Sequence, residues 1–258
     1  MDLQITKHQF LVTGASDGFG RQVAEVLASE GARVVAVARN EEKLKELSDR
    51  FPGLIETIPG DLFDDDFLNK LIAKCQDKHL QGVFVNAGGP PPMGFQESEI
   101  TDWDKAYKTV VRWKIKLVKG LLPVFKSNDY GRILFLESAS LRQPLADLVL
   151  SNSLRLAIAG AAKTLSLEVA DEGITVNILA PGFHETNAVK RIINKKSETQ
   201  NISKQKAKEQ ITSGIPVGFA GNPANLASLA TWLLSPLSEF VTGQTYVIDG
   251  GNSRSTSI

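Results

Sequence analysis

The sequence lacks the features of several protein classes. Of its 258 residues only Cys75 is a cysteine, and 29 basic residues balance 29 acidic ones. A single cysteine excludes a disulfide framework and a cysteine-based metal site, and zero net charge gives no global attraction to nucleic acid or an anionic membrane. No apolar run approaches the roughly 20 residues that span a bilayer, and the amino terminus has no signal-peptide pattern. We therefore expect a cytoplasmic protein without nucleic-acid or membrane partners.

What the sequence does contain is an alternation of short β-branched runs with longer amphipathic segments. Seven strands are predicted, at residues 10–12, 33–37, 54–55, 82–85, 132–136, 174–179 and 245–248. Helices are predicted at about 21–29, 41–50, 64–78, 101–126, 147–171 and 223–235. Near-continuous apolar strands suit a parallel sheet that is covered on both faces, and their alternation with helices indicates right-handed βαβ units. The pattern predicts one doubly wound, Rossmann-type α/β domain over residues 1–258.

Lysines are prominent in two segments of the chain. Lys114, Lys116 and Lys119 lie in the predicted helix 101–126, where we interpret them as facing water or lining a rim. The polar segment 184–214 separates the sixth strand from the last helix. It is either a solvated helical excursion or a mobile lid over a site, since long insertions into compact domains are often functional. Its length does not decide between these two interpretations.

A glycine-rich turn, Thr13 to Gly20, follows the first predicted strand and opens the first helix. Glycine permits a tight turn and the close approach of backbone to a pyrophosphate. The pyrophosphate then lies at a helix N-terminus, where free N–H groups favour anions. The spacing is G-x-x-x-G-x-G instead of the more familiar G-x-G-x-x-G. Because the turn stands between a strand and a helix, it predicts a dinucleotide-binding site.

Four motifs in chain order resemble those of the short-chain dehydrogenase/reductase family, and the match is closest to its branch of β-ketoacyl carrier-protein reductases. They are the turn T-G-x-x-x-G-x-G, Asn86-Ala87-Gly88-Gly89, Pro181-Gly182 and Asp249-Gly250-Gly251. The resemblance covers essentially the whole chain. It implies a seven-stranded parallel sheet in the order 3-2-1-4-5-6-7, bound NAD(H) or NADP(H), a small-molecule substrate, and a homo-oligomer, either a tetramer or a dimer.

The resemblance also assigns residues to the parts of the cofactor. Those expected at the pyrophosphate and adenosine ribose are Gly14, Ser16, Asp17, Gly18, Phe19 and Gly20. Those expected at the adenine are Asp61 and Leu62, and those bordering the cofactor near the sheet centre are Asn86, Ala87 and Gly88. Those expected at the nicotinamide amide are Pro181, Gly182 and Thr186, and Arg155 is expected at a ribose or an anion.

The end of the second predicted strand bears on the choice of cofactor. NAD-specific folds place a carboxylate there for the ribose hydroxyls, whereas this chain has Ala38 followed by Arg39. Arg39 is suited to pair with a 2′-phosphate, although an ordinary surface arginine is the alternative. Asp17 weakens the argument, because the same turn often carries a basic residue in NADP-dependent relatives. On balance NADP(H) is preferred over NAD(H).

The family's reaction chemistry depends on Asn, Ser, Tyr and Lys, with Tyr-x-x-x-Lys beginning thirteen residues after the Ser. The tyrosine exchanges a proton with the substrate oxygen, and the neighbouring ammonium lowers its pKa. Here Ser138 matches the serine, but Ser151 and Arg155 stand at the tyrosine and lysine positions and Val110 at the asparagine position. Ser151 and Arg155 share a helix face. Neither side chain exchanges protons readily near neutral pH.

Another residue could supply the missing acid. His184 lies where the resemblance places the nicotinamide, and a titrating histidine there would act as an acid; a solvent-exposed loop histidine is the alternative. Glu137, next to Ser138, is a weaker candidate. The predicted catalytic residues are therefore Ser138, Ser151, Arg155 and His184.

Two hypotheses for the function remain open. The first is an NADP-linked oxidoreductase that acts on a carbonyl or alcohol through an altered proton transfer. The second is a non-catalytic dinucleotide-binding or scaffold protein that kept the fold and lost the chemistry. The glycine turn and Arg39 favour cofactor binding in either case. Ser138 favours the first hypothesis, and the loss of the tyrosine and lysine favours the second.

Overall fold

The computed structural model describes residues 1–255, apart from the side chains of residues 188, 191 and 195. The last three residues of the predicted domain, 256–258, lie outside the described part. The strands are β1 (Gln9–Thr13), β2 (Arg33–Ala38), β3 (Ile55–Pro59), β4 (Gly82–Val85), β5 (Gly131–Leu136), β6 (Ile174–Pro181) and β7 (Thr245–Ile248). The α-helices are α1 (Gly18–Ser29), α2 (Glu41–Arg50), α3 (Asp65–Gln76), α4 (Ile100–Tyr107), α5 (Trp113–Ser127), α6 (Val149–Glu168), α7 (Asn187–Gln200), α8 (Lys204–Thr212) and α9 (Pro223–Leu234).

The seven strands form one parallel sheet in the order β3-β2-β1-β4-β5-β6-β7. The predicted fold class and strand order are confirmed. Because β1 pairs with both β2 and β4, the strand order reverses there. Open α/β sheets bind ligands beyond the carboxyl ends of their strands at such a switch point. The fold therefore directs attention to the loops that follow β1 and β4.

Apolar side chains cover both faces of the sheet. On one face, Leu11, Val83 and Ile133 pack with buried residues of α3, α5 and α6. On the other face, Phe10 and Val12 pack with buried residues of α1, α2 and α9. This two-sided burial explains why the strands are near-continuous apolar runs, as expected for a parallel sheet.

The predicted helix 101–126 is divided by a π-helical turn. The α-helix α4 ends at Tyr107, residues Lys108–Arg112 form the π turn, and α5 begins at Trp113. Val110, at the family's asparagine position, is buried within this turn. A π turn adds a residue to the helical repeat and is often found at functional sites. It changes which α5 side chains face the sheet.

The segment 184–214 contains two helices, α7 and α8. Thr186 caps α7 by accepting a hydrogen bond from the Val189 N–H, and Lys208 of α8 pairs with Glu185 at 2.6 Å. The helical content agrees with the first interpretation of this segment, and its role as a lid stays a prediction. No helix in the described part of the chain is both long enough and apolar enough to cross a membrane.

Candidate functional site

A cavity of about 550 Å³ opens at the carboxyl ends of the strands, across the switch point. Its volume lies within the range of roughly 300–1,000 Å³ that is usual for cofactor and ligand sites. The predicted site residues that line it are Gly14, Ser16, Asp17, Gly18, Phe19, Arg39, Asp61, Leu62, Asn86, Ala87, Gly88, Arg155, Pro181 and Thr186. The predicted residues outside this lining are Gly20, Ser138, Ser151, Gly182 and His184.

The glycine turn is shaped by close backbone approaches. A Cβ added to Gly14, whose φ is +64°, would lie 2.7 Å from Nδ2 of Asn86, and one added to Gly20 would lie 2.3 Å from the Gly14 carbonyl oxygen. Gly20 thus supports the turn from behind. Thr13, which the sequence analysis missed, joins β1 to β4: its hydroxyl donates to the Asn86 carbonyl and accepts from the Asn86 N–H, both at 2.8 Å. The turn is therefore fixed to both strands at the switch point.

Asp17 connects three parts of the cavity wall. Its carboxylate caps α1 by accepting from the Gly18 N–H at 2.7 Å. It also accepts from Lys43 of α2 at 2.9 Å and from the Asn187 amide of α7 at 2.8 Å. Burial alone would raise the pKa of Asp17, but the hydrogen bonds from Asn187 and Lys43 lower it overall. The carboxylate is thus held in its charged form.

Arg39, Asn40 and Lys43 line the cavity where β2 leads into α2. Asn40 caps α2 by accepting from the Lys43 N–H at 2.9 Å. Lys43 was not among the predicted site residues; it lies in the first turn of α2, which begins two residues after Arg39. Two cationic side chains therefore stand at the end of the cavity where the resemblance places the adenosine.

At the opposite end of the cavity, Arg155 of α6 reaches towards the carboxyl end of β5. Its Nε donates to Oγ of Ser151 at 3.0 Å, and its Nη1 donates to Glu137 at 2.8 Å. The other Glu137 oxygen accepts from Lys114 of α5 at 2.5 Å. Lys114 is only 3% exposed, so the prediction that it faces water or lines a rim is wrong. Sequence reasoning placed it on the surface because lysine is rarely buried without a partner, and the partner lies 23 residues away in the chain.

Ser138 and Gly182 lie outside the cavity lining, each next in the chain to a residue that lines it. The Ser138 hydroxyl accepts a hydrogen bond from the Ser140 N–H at 3.1 Å and so starts a short 3₁₀ turn after β5. A Cβ on Gly182 would lie 2.6 Å from Cβ of Asp249, so glycine is needed where the loops after β6 and β7 meet. Both residues shape the wall from outside the cavity.

His184 does not face the cavity. It is 3% exposed, and its ring packs edge-on against Phe19 with centroids 5.1 Å apart. Its Nδ1 lies 3.1 Å from the Gly182 carbonyl oxygen, and burial lowers the pKa of the imidazole. The alternative of a solvent-exposed loop histidine is therefore wrong. A neutral ring behind Phe19 is placed to support the wall and not to deliver a proton into the cavity.

The residues at this cavity are compatible with a dinucleotide. Glycines and the α1 N-terminus stand at its centre, cations stand at both ends, and a Cβ on Gly88 would meet nothing within 4 Å, so the space beside that residue is open. Among the described residues, no group of three or more His, Cys, Asp or Glu side chains is placed to hold a metal ion. Fold and site together define the class of doubly wound dinucleotide-binding proteins.

Comparison with known proteins narrows this class to a family. A family model described as enoyl-(acyl carrier protein) reductase matches residues 14–253. The chain therefore belongs to the short-chain dehydrogenase/reductase family, as the motifs predicted.

Two curated relatives match nearly the whole chain. The NADPH-dependent reductase BacG of Bacillus subtilis (strain 168) is 29% identical over 258 residues, which covers 97% of this chain and 100% of that protein. The 3-oxoacyl-[acyl-carrier-protein] reductase FabG of Rickettsia felis is 30% identical over 252 residues, which covers 96% and 98%.

Two solved structures share the fold of this chain. YwfH, described as an NADPH-dependent reductase involved in bacilysin biosynthesis, has a TM-score of 0.91 at 28% identity and covers 97% of this chain and 100% of its own. The L-sorbose reductase from Gluconobacter frateurii has a TM-score of 0.93, with 99% and 100% covered; at 24% identity it supports the fold alone.

Proposed function

We propose that the protein binds NADP(H) and is an oxidoreductase that acts on a carbonyl or alcohol substrate, with proton transfer that differs from the family's usual scheme. The observation that carries this proposal is one cavity that joins the glycine turn, two cations at the adenosine end and Arg155 at the other end. Membership of an oxidoreductase family and the NADPH dependence of the similar BacG and YwfH support it.

The preference for NADP(H) rests on charge at the end of β2. Ala38 ends that strand, so the carboxylate that accepts hydrogen bonds from NAD ribose hydroxyls is not at this position. Arg39 and Lys43 line the same part of the cavity, and both are suited to a 2′-phosphate. Lys43 would contact the phosphate while it keeps its ion pair with Asp17.

The remaining predicted residues have complementary tasks. The α1 N-terminus and the turn of Gly14 to Gly20 would hold the pyrophosphate, and Pro181 and Thr186 would border the nicotinamide. When bound, the nicotinamide supplies or accepts a hydride. Arg155 would hold the nicotinamide ribose of NADP(H). Because its guanidinium stays charged at working pH, it would also stabilise negative charge that develops on the substrate oxygen. Ser151 lies outside the cavity lining, and its Oγ accepts from Arg155, so its task would be to hold the guanidinium.

This scheme differs from the family's general acid–base mechanism. Ser151 is a far weaker acid than a tyrosine, and losing a positioned general acid typically costs about 10²–10⁴ in rate. Slow turnover with ordinary carbonyl substrates is therefore expected. The family model's description makes α,β-unsaturated thioesters a second class worth screening.

The test has two steps. NADPH and NADH are titrated by fluorescence, and aldehydes, ketones, sugars and enoyl thioesters are then screened for NADPH oxidation. The proposal expects saturable NADPH binding and turnover that Arg155→Ala lowers at least tenfold. Tight NADPH binding without any turnover would favour the non-catalytic alternative, and failure to bind either nucleotide would overturn the cofactor assignment. A cytoplasmic location and a homo-oligomeric state stay predictions from the sequence.

A further inference from the structure

Three charged side chains lie together beneath the end of the cavity that Arg155 lines. We call Lys114, Glu137 and Arg155 the buried ion cluster. Glu137 is its centre, because one carboxylate oxygen accepts from Lys114 at 2.5 Å and the other from Arg155 at 2.8 Å. The three residues come from α5, the end of β5 and α6, so the cluster joins the elements that carry the family's reactive positions.

Burying the cluster is unfavourable for folding, because its charges are removed from water. The Glu137 side chain is 0% exposed and that of Lys114 is 4% exposed. Burial lowers the pKa of Lys114, and the charge of Glu137 opposes this shift while that of Arg155 reinforces it. Replacing such a buried ion pair by apolar residues is often neutral or stabilising. Stability alone therefore does not account for the cluster, which points to a task at the cavity.

Glu137 and Arg155 both line the cavity, but the Glu137 side chain is 0% exposed, so the cluster meets a bound ligand through Arg155. Its side chain is 11% exposed and is the member of the cluster with accessible surface next to a ligand. In the described structure its hydrogen bonds to Ser151 and Glu137 use two of its five N–H groups. Its Nη2 lies beside Gly89, where an added Cβ would be only 3.1 Å away. The remaining donors are thus aimed along the cavity wall.

We propose that Lys114 and Glu137 are positioning residues that orient the Arg155 guanidinium for binding NADP(H). Glu137 holds one edge of the planar fork, and Lys114 holds Glu137 by occupying its second oxygen. Without this support Arg155 would keep only the hydrogen bond to Ser151, and the other side-chain torsions would be free. This inference rests on the proposed function, because it assumes that NADP(H) is the ligand of the cavity.

Removing the charges of Lys114 and Glu137 together separates an effect on NADPH binding from an effect on protein stability. The single variant Glu137→Leu leaves Lys114 buried without an anionic partner, so a strongly lowered Tm is expected. The double variant Lys114→Met/Glu137→Leu removes one positive and one negative charge at similar volume, so its Tm should return close to the wild-type value. Its NADPH Kd, measured by fluorescence titration, should nevertheless stay raised about tenfold or more, because Arg155 has lost a charge-assisted partner.

A cycle with Arg155 then shows whether the pair acts through that residue. Arg155→Leu should raise the NADPH Kd, and adding Lys114→Met/Glu137→Leu to it should raise the Kd no further, since coupled residues are non-additive. The matched control is Lys116→Met/Asp65→Leu, which removes a partly exposed ion pair between Lys116 of α5 and Asp65 of α3 at 2.9 Å. This control should leave the Kd unchanged. If the Leu variants do not fold, Glu137→Gln enters the same cycle as the milder change.

Two results would overturn the inference. One is a double variant with both wild-type Tm and wild-type NADPH affinity, which would make the cluster purely structural. The other is a full additional loss of affinity in the Arg155→Leu background, which would mean that the pair does not act through Arg155. A wild-type protein that binds neither NADPH nor NADH would overturn the proposed function as well, and so that outcome is distinct from the other two.

Discussion

Lys43 is the residue on which the preference for NADPH over NADH depends most directly, because it forms an ion pair with Asp17, the acidic residue of the glycine turn. Its Nζ contacts Asp17 at 2.9 Å, and both residues line the cavity beside Arg39. A 2′-phosphate at this end would meet two cations while Asp17 is occupied by Asn187. Without Lys43, the Asp17 carboxylate would repel a phosphate. Lys43 is therefore as much a partner of Asp17 as a contact for the ligand.

We predict that Lys43→Ala raises the Kd of NADPH roughly tenfold, the order expected for one lost charge-assisted hydrogen bond, and leaves the Kd of NADH nearly unchanged. Fluorescence titration with both nucleotides measures this. Lys45→Ala is the matched control, because Lys45 lies on the same helix and pairs with Asp49 away from the cavity. Equal losses for NADPH and NADH would contradict a role at the 2′-phosphate.

His184 makes stability depend on pH in a definite direction. Burial lowers its pKa in the folded state, whereas the unfolded chain takes up a proton near the ordinary value of about 6.5. The unfolded state therefore binds more protons as the pH falls, and stability decreases from about pH 7 downwards. Partly buried His8 acts in the same sense, so His184 accounts for part of the effect.

We predict that His184→Gln reduces the loss of unfolding free energy between pH 7.5 and pH 5.5, as measured by denaturant unfolding at both values. His79→Gln is the control, because His79 is exposed. A variant with the same pH dependence as the wild type would show that His184 titrates normally and is not buried as described. NADPH oxidation should persist in His184→Gln, since the ring lies behind Phe19 and outside the cavity lining.

At the scale of elements, the Asn187 side chain joins α7 to the glycine turn. Asn187 donates to both oxygens of Asp17 at 2.8 Å, and the same carboxylate caps α1. Opening of α7 would therefore leave the cap of α1 intact, whereas loss of Asp17 would affect both helices. This difference allows the two roles to be separated.

We predict that Asn187→Ala speeds hydrogen exchange in residues 187–200 and leaves global stability nearly unchanged. Asp17→Ala should speed the same exchange and also lower the free energy of unfolding by about 1 kcal/mol, because it removes an N-cap. Hydrogen-exchange mass spectrometry and denaturant unfolding measure the two effects. Unchanged exchange in both variants would contradict the role of Asp17 as the anchor of α7.

The elements differ in how much of them a single sequence could predict. The strands and the glycine turn were accessible, because strands buried on both faces are continuous apolar runs and the turn requires glycine at Gly14 and Gly20. The π turn at Lys108–Arg112 was not, because nothing in its sequence distinguishes it from an α-helix. Lys114 lies just after that turn, and its buried partner Glu137 follows β5, 23 residues away in the chain. Long-range pairing of this kind leaves no local signal.

At the scale of the whole molecule, the family fold keeps a cofactor cavity while the usual acid–base residues are replaced. The sheet order and the two apolar layers set the cavity at the switch point, independently of the chemistry carried by α5, β5 and α6. Binding and turnover are therefore separable properties of this chain. Cofactor binding is the first property to test, because the proposed mechanism and the role of the buried ion cluster both depend on it.

The most direct test is an equilibrium titration of the wild-type protein with NADPH and with NADH. Binding is monitored by nucleotide fluorescence under identical conditions. We predict saturable binding of both nucleotides, with NADPH bound at least tenfold more tightly, which corresponds to about 1.4 kcal/mol from the 2′-phosphate. Equal affinities, or tighter binding of NADH, would contradict the assignment of Arg39 and Lys43 to the 2′-phosphate. No binding of either nucleotide would contradict the central claim.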